Sequence, residues 1–229
     1  MIISIHQPNF LPWLGFFNKI VQSDVFVFLD DVQFERGKTF TSRTKLVVNK
    51  QESWLTIPTK DKSDLKNINE IEIDNPLLWK KKHLKTIEMN YKKTPYFNEV
   101  FELIQQVYMQ DNNLLVNYNM PLIIEICIYL DIKTKFIQSS NLMQSKEKQG
   151  WDKILSILKK MEATTYISGS GEGSKRYVNQ SDLTANGINL EWQEFNHPTY
   201  PQLHGEFISH LSIIDALFNV GFEGVKKLF

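Results

Sequence analysis

The spacing of apolar positions changes several times along the chain, and each change marks an expected element. Residues 2–5 are apolar except for Ser4 and read as a short buried strand. Pro8 and Pro12 stop regular structure in the loop that follows, His6-Gln7-Pro8-Asn9-Phe10-Leu11-Pro12. Across residues 13–22, Leu14, Phe17, Ile20 and Val21 fall on one face and predict a helix. Val25-Phe26-Val27-Phe28-Leu29 is apolar throughout, as expected of a strand covered on both faces. Strand, loop, helix and strand in this order make a βαβ unit, and a βαβ unit implies a parallel sheet.

Further on, Leu46-Val47-Val48 and Trp54-Leu55-Thr56-Ile57 flank the polar turn 49–52 and predict a β-hairpin. Ile68, Ile71 and Ile73 suggest another strand. Helices are expected over 76–91, 95–108 and 114–130, each introduced by turn residues. A strand at 134–138 and a helix at 151–161 follow. Thr165-Tyr166-Ile167 reads as a strand running into Ser168-Gly169-Ser170-Gly171-Glu172-Gly173-Ser174. A late strand at 188–195 precedes a helix at 211–219, with Gly221 in capping position. The expected fold is α/β: a mainly parallel, Rossmann-like sheet with a β-hairpin insertion and a helical segment. No repeat or linker divides it, so one domain over 1–229 is expected, with a helical subregion at 76–131.

Composition narrows the function classes. Lys and Arg number 26 and Asp and Glu number 26, so no overall field favours nucleic acid or membrane. Cys127 is the only cysteine, which excludes an internal disulfide and fits a reducing compartment. Its isoleucine neighbours mark it as a core residue rather than a catalytic thiol. His197, His204 and His210 lack the i, i+4 spacing of a helical zinc site, so no metal is expected. No resident cofactor is implied either. The opening Met1-Ile2-Ile3-Ser4-Ile5-His6 carries no basic stretch or small-residue cleavage site, and a cytoplasmic location is expected.

The chemistry-bearing residues concentrate at strand ends. His6, Gln7 and Asn9 follow the first strand, and Asp30 and Asp31 end the next. Open parallel sheets bind ligands beyond the carboxyl ends of their strands, so both groups should face one crevice. An imidazole and carboxylates there suit acid–base work, which makes His6, Asp30 and Asp31 the catalytic candidates. Arg43 and Lys45 follow closely in the chain and are candidates to bind substrate. Taken singly, each of these residues also suits a bland role, satisfying backbone groups or capping a turn. Ser168, Gly169, Ser170 and Gly171 form a second candidate segment, in which glycines let backbone N–H groups approach an anion. The alternative is a plain glycine turn before a helix. Lys80, Lys81, Lys82, Lys85, Lys92 and Lys93 crowd one helix and its exit. That is ordinarily a solvated face; the functional reading is a dock for an anionic partner.

The opening His6-Gln7-Pro8-Asn9-Phe10-Leu11-Pro12-Trp13-Leu14-Gly15-Phe16-Phe17 resembles that of the WbqC-like family. So do Asp24-Val25-Phe26-Val27-Phe28-Leu29-Asp30-Asp31-Val32-Gln33-Phe34, Arg43 and Trp54-Leu55-Thr56-Ile57-Pro58. The match continues through Tyr91, Pro95-Tyr96-Phe97, Tyr166-Ile167-Ser168-Gly169 and Tyr177. It ends with Tyr200-Pro201-Gln202 and Leu211-Ser212-Ile213-Ile214-Asp215, so the resemblance spans nearly the whole chain. Gln33 and Tyr177 join the substrate-binding candidates through it. Ser42 departs from the asparagine expected before Arg43.

The resemblance implies a place in bacterial O-antigen or other surface-polysaccharide gene clusters. It further implies a glycine transferase that forms an amide on an amino sugar or sugar nucleotide. The donor is then an activated amino acid, for instance an acyl-carrier-protein thioester docking on the lysine-rich helix. A non-catalytic sugar-nucleotide-binding or assembly protein is the alternative. The topology is also similar to that of nucleotidylyltransferases. Their second histidine is missing from Leu11-Pro12-Trp13-Leu14-Gly15, however, and that counts against adenylyl transfer.

Overall fold

The computed structural model describes residues 1–35, 39–60, 66–142, 149–203 and 205–229. The first strand, β1 (Ile2–His6), leads through the proline loop into α1 (Leu14–Val21). Next comes β2 (Val25–Phe28), parallel to β1 and pairing Ile3 with Val25 and His6 with Phe28. The hairpin joins β3 (Arg43–Val48) to β4 (Gln51–Thr56). Its turn residues Asn49 and Lys50 both have positive φ, 52° and 65°, the two-residue turn that matches strand twist. Three helices follow: α2 (Pro76–Tyr91), α3 (Phe97–Tyr108) and α4 (Val116–Tyr129). The sheet resumes with β5 (Lys135–Gln138), after which come α5 (Ser139–Leu142) and α6 (Gly150–Lys160). Then β6 (Thr165–Gly169), α7 (Glu172–Tyr177), α8 (Gln180–Ala185) and β7 (Asn189–Gln193) lead to α9 (Ile213–Lys226).

The α/β expectation holds. The larger sheet has the order β5-β2-β1-β6-β7, and every neighbouring pair is parallel. The chain begins in the middle, builds one way through β2 and β5, then returns to the other side of β1 with β6. That reversal leaves a crevice at the carboxyl ends of β1 and β6. Ile3, Ile5, Val25 and Val27 pack on one face against Ile157, Leu158 and Leu183. Phe26, Phe28 and Phe136 pack on the other, in the larger core with α1 and α4.

Two expectations need correction. Ile68, Ile71 and Ile73 do not make a strand: Ile68–Glu70 is a 3-10 turn, followed by single bridges from Glu72 to Leu114 and from Ile73 to Thr59. The three isoleucines are buried all the same, so their spacing reported burial and not a ladder. The last helix does not stop at Gly221. It breaks there, at φ 70° and ψ 177°, and resumes to Lys226. The Tyr96 ring lies 2.7 Å from where a Cβ of Gly221 would stand, so both space and backbone favour glycine.

Polar side chains clamp the loop that carries His6. Leu11 has φ 40°, and its carbonyl accepts hydrogen bonds from Thr44 Oγ1 at 2.8 Å and Ser212 Oγ at 2.7 Å. Asn119, fully buried, donates to the carbonyls of Pro8 at 2.8 Å and Thr41 at 2.7 Å. Behind them, the buried Asp215 carboxylate accepts from Tyr91 Oη at 2.8 Å, Tyr200 Oη at 2.9 Å and Gln202 Nε2 at 2.8 Å. Tyr91 Oη in turn accepts from the Val47 N–H, so α2, the hairpin and α9 meet at one carboxylate. Among the described residues no helix is long and apolar enough to cross a membrane.

Removing that carboxylate strands two buried hydroxyls and an amide. Asp215→Ala is expected to lower unfolding free energy by about 3 kcal/mol, and Asp215→Asn by less, because the amide oxygen still accepts. Urea denaturation of both variants measures this, and a loss below about 1 kcal/mol for Asp215→Ala contradicts the clamp.

Candidate functional site

A cleft of about 1430 Å³ opens at the carboxyl ends of β1, β2 and β6. His6, Gln7, Asp31, Gln33, Ser168, Gly169 and Tyr177 line it, which brings seven of the sequence candidates together. Asn9, Asp30, Arg43, Lys45, Ser170 and Gly171 are not among its lining residues. Lys19, Glu35, Asn67, Asn69, Glu70 and Lys153 line it as well, and none of these was singled out by the sequence reading.

His6 ends β1. Its Nδ1 lies 3.0 Å from the Gln7 carbonyl, which can only accept, so Nδ1 carries the proton and Nε2 keeps its lone pair. The ring packs edge-on against Phe16 with centroids 4.9 Å apart. Burial, reinforced by the positive charge of Lys19, lowers the His6 pKa to about 3, against a small opposing effect of the Gln7 hydrogen bond. The imidazole is therefore neutral near pH 7.

Lys19 is the residue that sequence reasoning missed. It lies on α1, where every residue from Leu14 to Ile20 is buried, and only 3 % of it is exposed. Among the described residues, no side chain or carbonyl pairs with its amine. Burial lowers its pKa from 10.5 to about 7. The available signal was a lysine inside a mostly apolar helix, Phe16-Phe17-Asn18-Lys19-Ile20-Val21. Gln193 steadies this helix by donating to the Gly15 carbonyl at 2.6 Å and to Asn18 Oδ1 at 2.9 Å.

The two aspartates part company. Asp31 faces the cleft and forms a nearly buried ion pair with Lys153 at 2.6 Å. Lys153 also donates to the Asp31 carbonyl at 2.9 Å, and Ser139 Oγ donates to Asp31 Oδ1. Asp30 turns away, accepting from Ser139 Oγ at 3.1 Å, Ser140 N at 3.0 Å and Ser140 Oγ at 2.7 Å. Its carboxylate ties the end of β2 to the start of α5. These contacts are those of a capping residue.

The other candidates fall into two groups. Ser168 and Gly169 end β6 beside β1, and Tyr177 reaches the cleft from α7. Arg43 instead stacks its guanidinium on Trp54, 3.6 Å from the ring centre, and Lys45 pairs with Glu52 at 2.9 Å, both on the hairpin. Lys80 donates to the Gln110 carbonyl at 2.7 Å, whereas Lys81, Lys82, Lys85, Lys92 and Lys93 are exposed. Cys127 is fully buried in the core, and burial pushes its thiol pKa up. Among the described residues no cluster of His, Cys, Asp and Glu is arranged to hold a metal. His204 lies outside the described residues.

The model of the WbqC-like protein family matches residues 7–227. An uncharacterized protein of Mycobacterium tuberculosis, Rv1507c, is 29% identical over 229 residues, covering 99% of this chain and 96% of that protein. No solved structure matches the chain.

The depressed Lys19 pKa has a consequence for stability. A fall from 10.5 to about 7 corresponds to roughly 5 kcal/mol of resistance to charging in the folded state. Between these two values the unfolded chain holds a proton that the folded chain lacks, so stability rises with pH across that window. Below about pH 7 the whole penalty is present. Lys19→Met is therefore expected to be more stable than the wild type by about 3 kcal/mol below pH 7, with the gain shrinking towards pH 10.5. Denaturation curves at several pH values measure the gap, and a gap independent of pH counts against the depressed pKa.

Proposed function

The chain belongs to the WbqC-like protein family, and on that premise we propose that its cleft joins an activated amino acid, glycine foremost, to the amine of an amino sugar or sugar nucleotide. The product is an amide, and the pathway is surface-polysaccharide assembly in the cytoplasm. The observation that carries the reading is the buried Lys19, without a partner among the described residues, in one cleft with the neutral His6.

Amide formation begins when the neutral amine of the acceptor attacks the acyl carbon. The new nitrogen–carbon bond leaves an excess proton on nitrogen, which a base must take before the leaving group departs. A base works best when its pKa lies near the working pH, and Lys19 at about 7 meets that condition. His6, at about 3, is too weak to hold the proton at neutral pH. Its Nε2 lone pair serves instead to accept a hydrogen bond from the incoming amine and orient it. This reassigns the base from His6, the residue the sequence favoured, to Lys19.

The remaining lining suits a sugar. Gln7, Gln33 and Asn67 supply amides, and Ser168 and Tyr177 supply hydroxyls, which match sugar hydroxyl groups as donors and acceptors. No nucleophile of the serine or cysteine type is activated in the cleft, and Cys127 is sealed in the core, so direct transfer is favoured over a covalent intermediate. The exposed lysines of α2 fit an acidic carrier protein bearing the donor. A binding-only role uses the same hydrogen-bonding groups but leaves the destabilising burial of Lys19 without a purpose.

The assay supplies glycyl thioester or glycyl adenylate together with an amino-sugar nucleotide and looks for the glycyl amide by mass. The rate is expected to rise with pH through about 7 and then level off, as Lys19 loses its proton. Lys19→Met is expected to lower kcat at least about 100-fold, and His6→Ala to act mainly through KM. No amide from any glycyl donor, or full activity in Lys19→Met, overturns the reading.

A further inference from the structure

An amine that sheds its proton near neutrality is a nucleophile as well as a base. Lys19 lines the cleft from α1 with only 3 % of its surface exposed, and this burial disfavours the ammonium form. The other buried lysine of the cleft, Lys153, differs in that Asp31 holds its nitrogen at 2.6 Å. The lysines of α2 are exposed to water, apart from Lys80 with its carbonyl partner. Lys19 is thus set apart by its position, its lack of a partner among the described residues and its neighbour His6.

We infer that Lys19 condenses with a small hydroxylated aldehyde or ketone, such as an open-chain or keto sugar, to form an imine in the cleft. This goes beyond the amide-forming reading and does not depend on it. In the first step the Lys19 nitrogen bonds to the carbonyl carbon, and the π electron pair moves to oxygen. One amine proton passes to that oxygen, giving a carbinolamine. In the second step the carbon–oxygen bond breaks, the hydroxyl leaves as water with a second proton from nitrogen, and the carbon–nitrogen double bond forms. One carbonyl compound and one amine give one imine and one water, with no oxidant or reductant.

His6 is placed to orient the attacking amine. Its Nε2 lone pair accepts a hydrogen bond from the Lys19 nitrogen, while the protons pass from nitrogen to the carbinolamine oxygen. Gln7, Gln33, Asn67 and Ser168 then meet the hydroxyl groups of the carbonyl compound. Hydroxylated substrates should therefore be preferred over plain alkyl aldehydes of the same size.

The test incubates the intact protein at pH 7 with glyceraldehyde and cyanoborohydride, which reduces an imine to a stable secondary amine, and maps the labelled lysines by mass spectrometry. A free-amine fraction near one half, against about one in three thousand for an ordinary lysine, sets the expected preference. Lys19 should label at least about tenfold faster than exposed Lys81 or Lys85, even after allowance for its burial. Propionaldehyde should label it more slowly, and His6→Gln should slow the labelling without moving it elsewhere. Labelling of Lys19 no faster than that of Lys81 overturns the inference, whether or not the glycyl amide is formed. Fast labelling without any glycyl amide leaves the imine standing and removes the amide reading. The wild-type comparison is internal, so the outcome does not rest on whether a Lys19 variant folds.

Discussion

The structure depends on β1 being paired along both edges. A buried strand must satisfy its N–H and carbonyl groups on each side, and β1 does so with β2 on one side and β6 on the other. Both neighbours run parallel to it, so all three carboxyl ends lie together. The chain arrives at one neighbour through a short βαβ unit and at the other only after most of its length. The site is therefore assembled from residues far apart in sequence, and His6 and Ser168 line one cleft because β1 pairs with β6.

Holding the loop after β1 in place is a separate task, and side-chain hydrogen bonds perform it. Leu11 sits at positive φ, an unfavourable conformation for a leucine, and Thr44 and Ser212 bond its carbonyl from two different segments. Asn119 reaches from α4 to the Pro8 and Thr41 carbonyls. The carboxylate of Asp215 then joins Tyr91, Tyr200 and Gln202 behind the hairpin. The family-like residues thus divide by role. Tyr91, Tyr200, Gln202, Asp215 and the stacked Arg43 and Trp54 build the frame. His6, Gln7, Asp31, Gln33, Ser168, Gly169 and Tyr177 face the cleft.

Two buried lysines show how environment decides chemistry. Lys153 is matched with Asp31, and a matched buried pair is close to neutral for stability while its disruption is costly. Lys19 has no such match among the described residues, and burial drives it towards the neutral amine. The same residue type is an ion-pair partner in one place and a desolvated amine in the other. Burying Lys19 makes the fold less stable at neutral pH than it need be, and the chemistry proposed at that amine is the return.

The periodicity of apolar residues, with its proline and glycine breaks, was enough to determine the α/β class, the order of most elements and the strand ends that carry His6, Asp31 and Ser168. These are local properties, because side-chain spacing and backbone restriction act over a few residues. The isoleucines near residue 70 show the limit: their spacing reported burial, but the hydrogen-bond pattern depended on what crossed that segment. Tertiary structure alone decided which of two adjacent aspartates faces the cleft, why Arg43 packs on the hairpin, and that Lys19 is buried beside His6. The opening block remains the heart of the site, yet the buried amine proposed to react, Lys19, lies just past its motif on α1. A pKa is set by the dielectric and charges gathered from the whole fold, and no spacing along the chain encodes that.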